Sequence, residues 1–252
     1  MNWTALDLTI LGPAFLAGLL VVATHIPLGQ RVLARGIIFL DLAVAQVAGL
    51  GLIAAHSLDW EPGAWQVQVV AFATAALSVL FLHWTERRWP QIQEAVIGSL
   101  FVLASSGSIL LLASNPHAGE HLKGLLIGQI LWVNYMQLVP VAILYGLILL
   151  QWFGFPQRRS SLPFYLLFAL AITASVQLVG VYLVFATLIL PALAVRHCKQ
   201  RALWYGYGIG VVGYGLGLIL AALLDLPAGA VIVYTLALIA ILIGWFVNRA
   251  KD

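Results

Sequence analysis

Apolar stretches of about 20 residues follow one another along almost the whole chain, joined by short polar connections. They fall at residues 8–28, 36–57, 65–84, 92–114, 125–153, 163–178, 180–195, 204–224 and 230–247. A run of that length suits a helix crossing the hydrocarbon core, where only helices and closed barrels satisfy their own backbone groups. The expected fold is therefore all-α: a polytopic transmembrane helical bundle of eight or nine spans. Only 8% of the 252 residues are charged, and the connections are too short for a folded extramembrane domain, so residues 1–252 read as a single transmembrane domain. The first apolar run follows Asp7 without a preceding Lys or Arg, which reads as a retained span rather than a cleaved leader.

The span count turns on residues 163–195, too many for one straight crossing and barely enough for two. Charge sorting favours two short crossings with a turn near Gly180. With Arg31 and Arg35 in the cytoplasm, alternation then places Arg87, Arg88, Arg158, Arg159, Arg196, Lys199, Arg201, Arg249 and Lys251 on the same side. Of the 12 basic residues only Lys123 remains outside, which is the positive-inside pattern. The N-terminus is then outside and the C-terminus inside; the other reading is eight spans with a bent or re-entrant piece. The net charge of +3 thus reports topology and does not point to nucleic acid.

The opposite face carries Asp7, His56, Asp59, Glu61, His117, Glu120, His121 and Asp225. Such a rim attracts cations, although it is also what remains once basic residues are sorted inward. The nine tryptophans lie at or near span ends, an interfacial belt in contact with membrane lipid. Small residues recur along the second and eighth stretches and let helices approach closely in lipid. The single cysteine, Cys198, has no internal disulfide partner.

Within residues 36–51, GIIFLDLAVAQVAGLG, an aspartate stands inside an apolar run. A carboxylate at such depth costs at least about 2.5 kcal/mol, and such residues face a partner, a cavity or a transported ion. On a helix Asp41 shares a face with Ala45 and with Ala48 or Gly49, a surface suited to packing on protein. Asp41 is a candidate for binding or gating a cation on a transport pathway; the alternative is a hydrogen bond or cap to a neighbouring helix. Gln46, about a turn deeper, is either a pathway residue or helix–helix glue. Glu94 sits where an acid favours a helix N-terminus, and Gln177 is placed to satisfy backbone groups at the Gly180 turn.

The outer connection around His117, Glu120 and His121 offers imidazole and carboxylate, ligands suited to zinc or manganese. Their His-x-x-Glu-His spacing also matches an inverted zinc-peptidase motif, though in a Pro- and Gly-containing loop. The remaining reading is a solvated loop. There is no GxxxxGK[ST] phosphate loop, so active transport would draw energy from a partner or an ion gradient.

Four stretches, in order and spread over nearly the whole chain, resemble the membrane permeases of ABC importers for divalent metals. They are RGIIFLDLAVAQVAGLG at 35–51, residues 93–133, VGVYLVFATLILPALAVR at 179–196, and LDLPAGAVIV at 224–233. The resemblance implies a type II ABC importer-like fold and a homodimer of permease subunits. It also implies a cytoplasmic ATP-binding subunit that hydrolyses ATP, and an extracytoplasmic metal-binding protein. The cargo would be Zn2+ or Mn2+, with no permanently bound cofactor and no enzymatic activity in the chain itself. Pro191, Arg196, His197, Lys199 and Arg201 would then belong to the surface coupled to the ATPase. Many family members carry a histidine four residues after the second-span aspartate; here that position is Ala45.

The expected function is therefore a multi-pass permease of the bacterial cytoplasmic (inner) membrane that takes up zinc or manganese by alternating access, with Asp41, His117, Glu120 and His121 as candidate metal ligands. An ion-gradient-driven metal transporter is the main alternative. A membrane metallopeptidase built on His117, Glu120 and His121 is the other.

Overall fold

The computed structural model describes residues 7–56, 65–112, 126, 128–154, 161–198 and 201–249. Among them all regular structure is helical. The α-helices are α1 (Leu8–Arg35), α2 (Leu40–His56), α3 (Trp65–Arg88), α4 (Gln93–Leu112), α5 (Tyr135–Gly154), α6 (Ser161–Val179), α7 (Val181–Ala194), α8 (Ala202–Leu224) and α9 (Ala228–Arg249). Short 3-10 turns at Pro90–Ile92 and Ile130–Trp132 precede α4 and α5.

These helices match the nine apolar stretches one for one. Seven are long and apolar enough to cross a membrane, while α2 and α7 are shorter. At about 1.5 Å per residue, the 14 residues of α7 reach only about 21 Å. The helix is largely buried among its neighbours, so much of it meets protein in place of lipid. The lipid-facing role falls to α3, α4, α5 and α9, which expose large apolar side chains.

Local chemistry explains the boundaries. Asp7 caps α1: its carboxylate accepts the Thr9 backbone N–H at 2.8 Å and the Thr9 hydroxyl at 2.7 Å. Those bonds favour the ionised form and hold the Asp7 pKa below its ordinary value. The stretch at 163–195 breaks at Gly180, whose φ of 82° and ψ of 162° lie in a region open to glycine and strained for other residues. Two helices, α6 and α7, result. The fifth helix starts ten residues later than the apolar run at 125 suggests, at Tyr135. A reciprocal cap sets that start: the Gln137 N–H donates to Asn134 Oδ1 at 3.0 Å, and the Asn134 N–H donates to Gln137 Oε1 at 3.1 Å.

The bundle packs as two groups that meet along α1, α6 and α7. In one, α8 lies against α9 and α1, and α7 against α1 and α9; in the other, α2 lies against α3 and α4, and α3 against α6. The α1–α7 approach is close enough that a Cβ at Gly29 would stand 2.0 Å from the Leu188 carbonyl oxygen. Buried hydroxyls join helices in the core: Tyr214 with Thr187 at 2.9 Å, Tyr145 with Ser175, and Thr235 donating to the Gly213 carbonyl at 2.8 Å. With no water available in the core of a membrane protein, such bonds favour one helix register over another.

Candidate functional site

The chain turns from α1 into α2 through Gly36, and Asp41 falls in the first turn of α2. Backbone N–H groups are free at a helix start, and the dipole there favours negative charge. Asp41 is 1% exposed, and no side chain hydrogen-bonds either carboxylate oxygen. Its nearest polar surroundings are the backbone amides of Asp41 and Leu42. The carboxylate is thus withdrawn into protein at a helix N-terminus, with the backbone amides of its own first turn as its only partners. No counter-charge or side-chain donor balances it, so part of its acceptor capacity remains open.

Gln46 is 7% exposed and lies between two spaces. One is a small enclosed cavity bordered by Ala45, Gln46, Gly49, Ser108 and Val181. The other is an open, mainly apolar groove of about 700 Å³, where Leu42 and Gln46 of α2 face Phe101, Ser105, Tyr182 and Tyr234. Asp41 does not itself line this groove; its chain neighbour Leu42 does. Ahead of α2, the Phe39 ring stacks on Phe185 of α7 with centroids 6.4 Å apart and planes within 3°. The segment leading to Asp41 therefore touches the helix that continues to Pro191.

Pro191 is buried in the last turns of α7, where its missing N–H leaves the Thr187 carbonyl without its i+4 donor. Arg196 and His197 follow in an exposed turn, with Arg196 Nε donating to His197 Nε2 at 3.0 Å. Arg201 precedes α8 with φ of 62°, an unusual conformation for a side-chain-bearing residue. Lys199 lies outside the described residues.

Asp41 and Gln46 are thus placed on one short helix beside a groove. His117, Glu120 and His121 lie outside the described residues. Among the described residues no group of three or more His, Cys, Asp or Glu side chains comes together. Glu94 does more than sit at a helix N-terminus: its Oε1 accepts the Ile38 backbone N–H at 2.8 Å. Gln177 serves α6 and α3 in place of the Gly180 turn: it donates to the Thr173 carbonyl at 3.2 Å and accepts from Gln68 of α3 at 2.8 Å, joining two helices.

Sequence reasoning missed a polar cluster formed by Arg35, His83, Glu86 and Tyr165 at the arginine-rich end of the bundle. The His83-x-x-Glu86 spacing on one apolar helix was its available signal. Buried His25 was also passed over; its Nδ1 lies 2.9 Å from the Val21 carbonyl oxygen of its own helix.

The profile of the ABC 3 transport family matches residues 7–158 and 151–247, so nearly all of the chain is covered. The chain belongs to this family. It is 26% identical over 255 residues to an uncharacterized membrane protein of Synechocystis sp., with 91% of this chain and 88% of that protein aligned. Its fold resembles PsaBC from Streptococcus pneumoniae, solved in complex with a Fab, with a TM-score of 0.74. That match covers 92% of this chain and 90% of the other at 18% identity, and it supports the helical architecture. Family and fold together make this ABC 3 member a multi-pass membrane protein of an ABC permease type.

Proposed function

We propose that this chain is the permease subunit of an ABC importer for a divalent metal ion, zinc or manganese, in a bacterial cytoplasmic membrane. The observation that carries the reading is Asp41: a carboxylate 1% exposed, with no side-chain partner, in the first turn of a short helix within the membrane-spanning bundle. Oxygen donors of this kind accept a dication and release it when the surrounding helices shift. Gln46 and the groove beside α2 supply the adjoining stretch of the pathway.

Two copies of the chain form the permease in this reading, with a separate cytoplasmic subunit binding and hydrolysing ATP. An extracytoplasmic metal-binding protein delivers the cargo. The exposed turn after α7, with Arg196, His197 and Arg201, meets the ATP-binding subunit; α7 transmits its movement to the α1–α2 turn through the Phe185–Phe39 stack. The test is uptake of labelled Zn2+ and Mn2+ into cells that carry the chain or its Asp41→Asn variant at equal membrane levels. Loss of uptake of one or both metals in the variant supports the reading. Uptake of both that is no higher with the chain than in cells lacking it rejects the permease, and uptake unchanged by the substitution rejects the role of Asp41.

A further inference from the structure

Three helices meet at the arginine-rich end of the bundle around a cluster of unlike polar groups. Arg35 is the last residue of α1, and its guanidinium carbon lies 4.6 Å from the centre of the Phe164 ring and 5.9 Å from that of Tyr165, both on α6. Arg35 Nη1 stands 3.8 Å from Glu86 Oε1 on α3, and Glu86 Oε2 stands 3.9 Å from His83 Nδ1 one turn earlier. The His83 and Tyr165 rings are 5.6 Å apart. Beneath them Gln93 of α4 accepts from Thr85 at 3.0 Å and donates to the Leu82 carbonyl at 2.9 Å.

The lengths of these contacts matter. Charge-assisted hydrogen bonds fall near 2.7–2.9 Å, and both ion pairs here are about 1 Å longer. Arg35 Nη1, His83 Nδ1, Glu86 Oε2 and the Tyr165 hydroxyl are withdrawn from solvent, and none of them makes a short hydrogen bond; Glu86 stands only at longer reach of His83 and Tyr165. The helix ends are therefore drawn together by charge attraction and by a cation over an aromatic face, without the short bonds that would make separation costly. A rigid brace of the same residues would have closed those bonds.

The position of the cluster connects two parts of the chain. Arg35 lies six residues before Asp41, across the Gly36 turn. The α6 helix that carries Phe164 and Tyr165 runs to Gly180 and into α7, which leads to the Arg196 turn. The turn between α1 and α2 is also the one whose Ile38 N–H Glu94 accepts at 2.8 Å.

We propose that Arg35, Glu86, His83 and Tyr165 form an inner latch that joins the ends of α1, α3 and α6 and closes the Asp41 region from the arginine-rich side. The latch rests on the permease reading for its purpose, and its own test does not use transport. In a Cys198→Ser background, a cysteine is placed at Ala45, one turn beyond Asp41 and 2% exposed. Its reaction with a charged, membrane-impermeant methanethiosulfonate is timed in inside-out membrane vesicles, which present the arginine-rich end in the proposed topology, and in right-side-out vesicles.

Glu86→Gln is expected to speed labelling in inside-out vesicles about tenfold, a shift typical of coupled two-state elements, and to leave right-side-out labelling unchanged. Arg35→Gln is expected to do the same, and the double variant to go no further than either single one, because the two side chains form one contact. If Glu86→Gln fails to accumulate, Phe164→Leu removes the ring nearest the Arg35 guanidinium and is expected to raise the rate a few-fold in the same direction. Unchanged labelling, equal acceleration from both sides, or additive effects of the two single variants would overturn the latch. Metal uptake no higher with the chain than without it would instead reject the permease reading while leaving the labelling result intact.

Discussion

The Glu94 carboxylate reaches from the first turn of α4 to the backbone of Ile38, accepting its N–H at 2.8 Å three residues before Asp41. One acid therefore positions the turn that presents another. The Ile38 N–H lies ahead of α2, where a helix cannot supply its own acceptors. Glu94 meets that need from a different helix, so the placement of Asp41 depends on the packing of α2 against α4.

Glu94→Ala leaves the Ile38 N–H without its acceptor and is expected to destabilise the folded protein by about 1–3 kcal/mol. Glu94→Gln retains a carbonyl acceptor at the same reach and is expected to cost less. Thermal unfolding of the two variants in one detergent checks the order. Equal losses would show that charge, not the hydrogen bond, holds the turn.

The α1–α7 contact gives a sharper contrast. A Cβ at Gly29 meets the Leu188 carbonyl oxygen at 2.0 Å, a backbone atom that no side-chain rotation can move aside. Gly98 has nothing within 4 Å of the equivalent position. Gly29→Ala is expected to lower the amount of folded protein in the membrane severely, while Gly98→Ala leaves it unchanged or slightly raised through helix propensity. Fluorescence-detected size exclusion of tagged variants measures both.

The Tyr214 hydroxyl shares a hydrogen bond with Thr187 across α8 and α7, and both residues are fully buried. Tyr214→Phe keeps the ring packed and removes this bond. Its expected cost is about 1 kcal/mol, in line with side-chain hydrogen bonds between membrane helices. A Thr187→Val change in the same background is expected to add little, since the shared bond is already gone; a double-mutant cycle on thermal stability checks it.

The helices were readable in the sequence because membrane folding makes a strong, local demand on composition: each crossing needs its own apolar run. The Gly180 break was readable for the same reason, since 163–195 held too many apolar residues for one crossing. The start of α5 was misread because residues 125–134 are apolar too, and the Asn134–Gln137 cap that decides the boundary is a matter of two side chains. Asp41 stood out as an acid in an apolar run. Its lack of a side-chain partner and the Glu94 bond to the turn before it did not, because they depend on residues 56 apart in the chain. The Arg35–Glu86–Tyr165 cluster was hidden likewise: charges at span ends look like topology signals until tertiary packing brings them together.

The central claim is that Asp41 lies on the route of a divalent metal ion. Its most direct test is initial uptake of radiolabelled Zn2+ and Mn2+ by cells whose metal import depends on this chain, comparing it with Asp41→Asn at matched membrane abundance. The substitution preserves size and removes the charge, and loss of a contributing ligand is expected to reduce uptake of the transported metal roughly 10- to 100-fold, by analogy with the loss of groups supporting metal sites. Uptake of both metals at the unaltered rate in the Asp41→Asn variant would contradict the account.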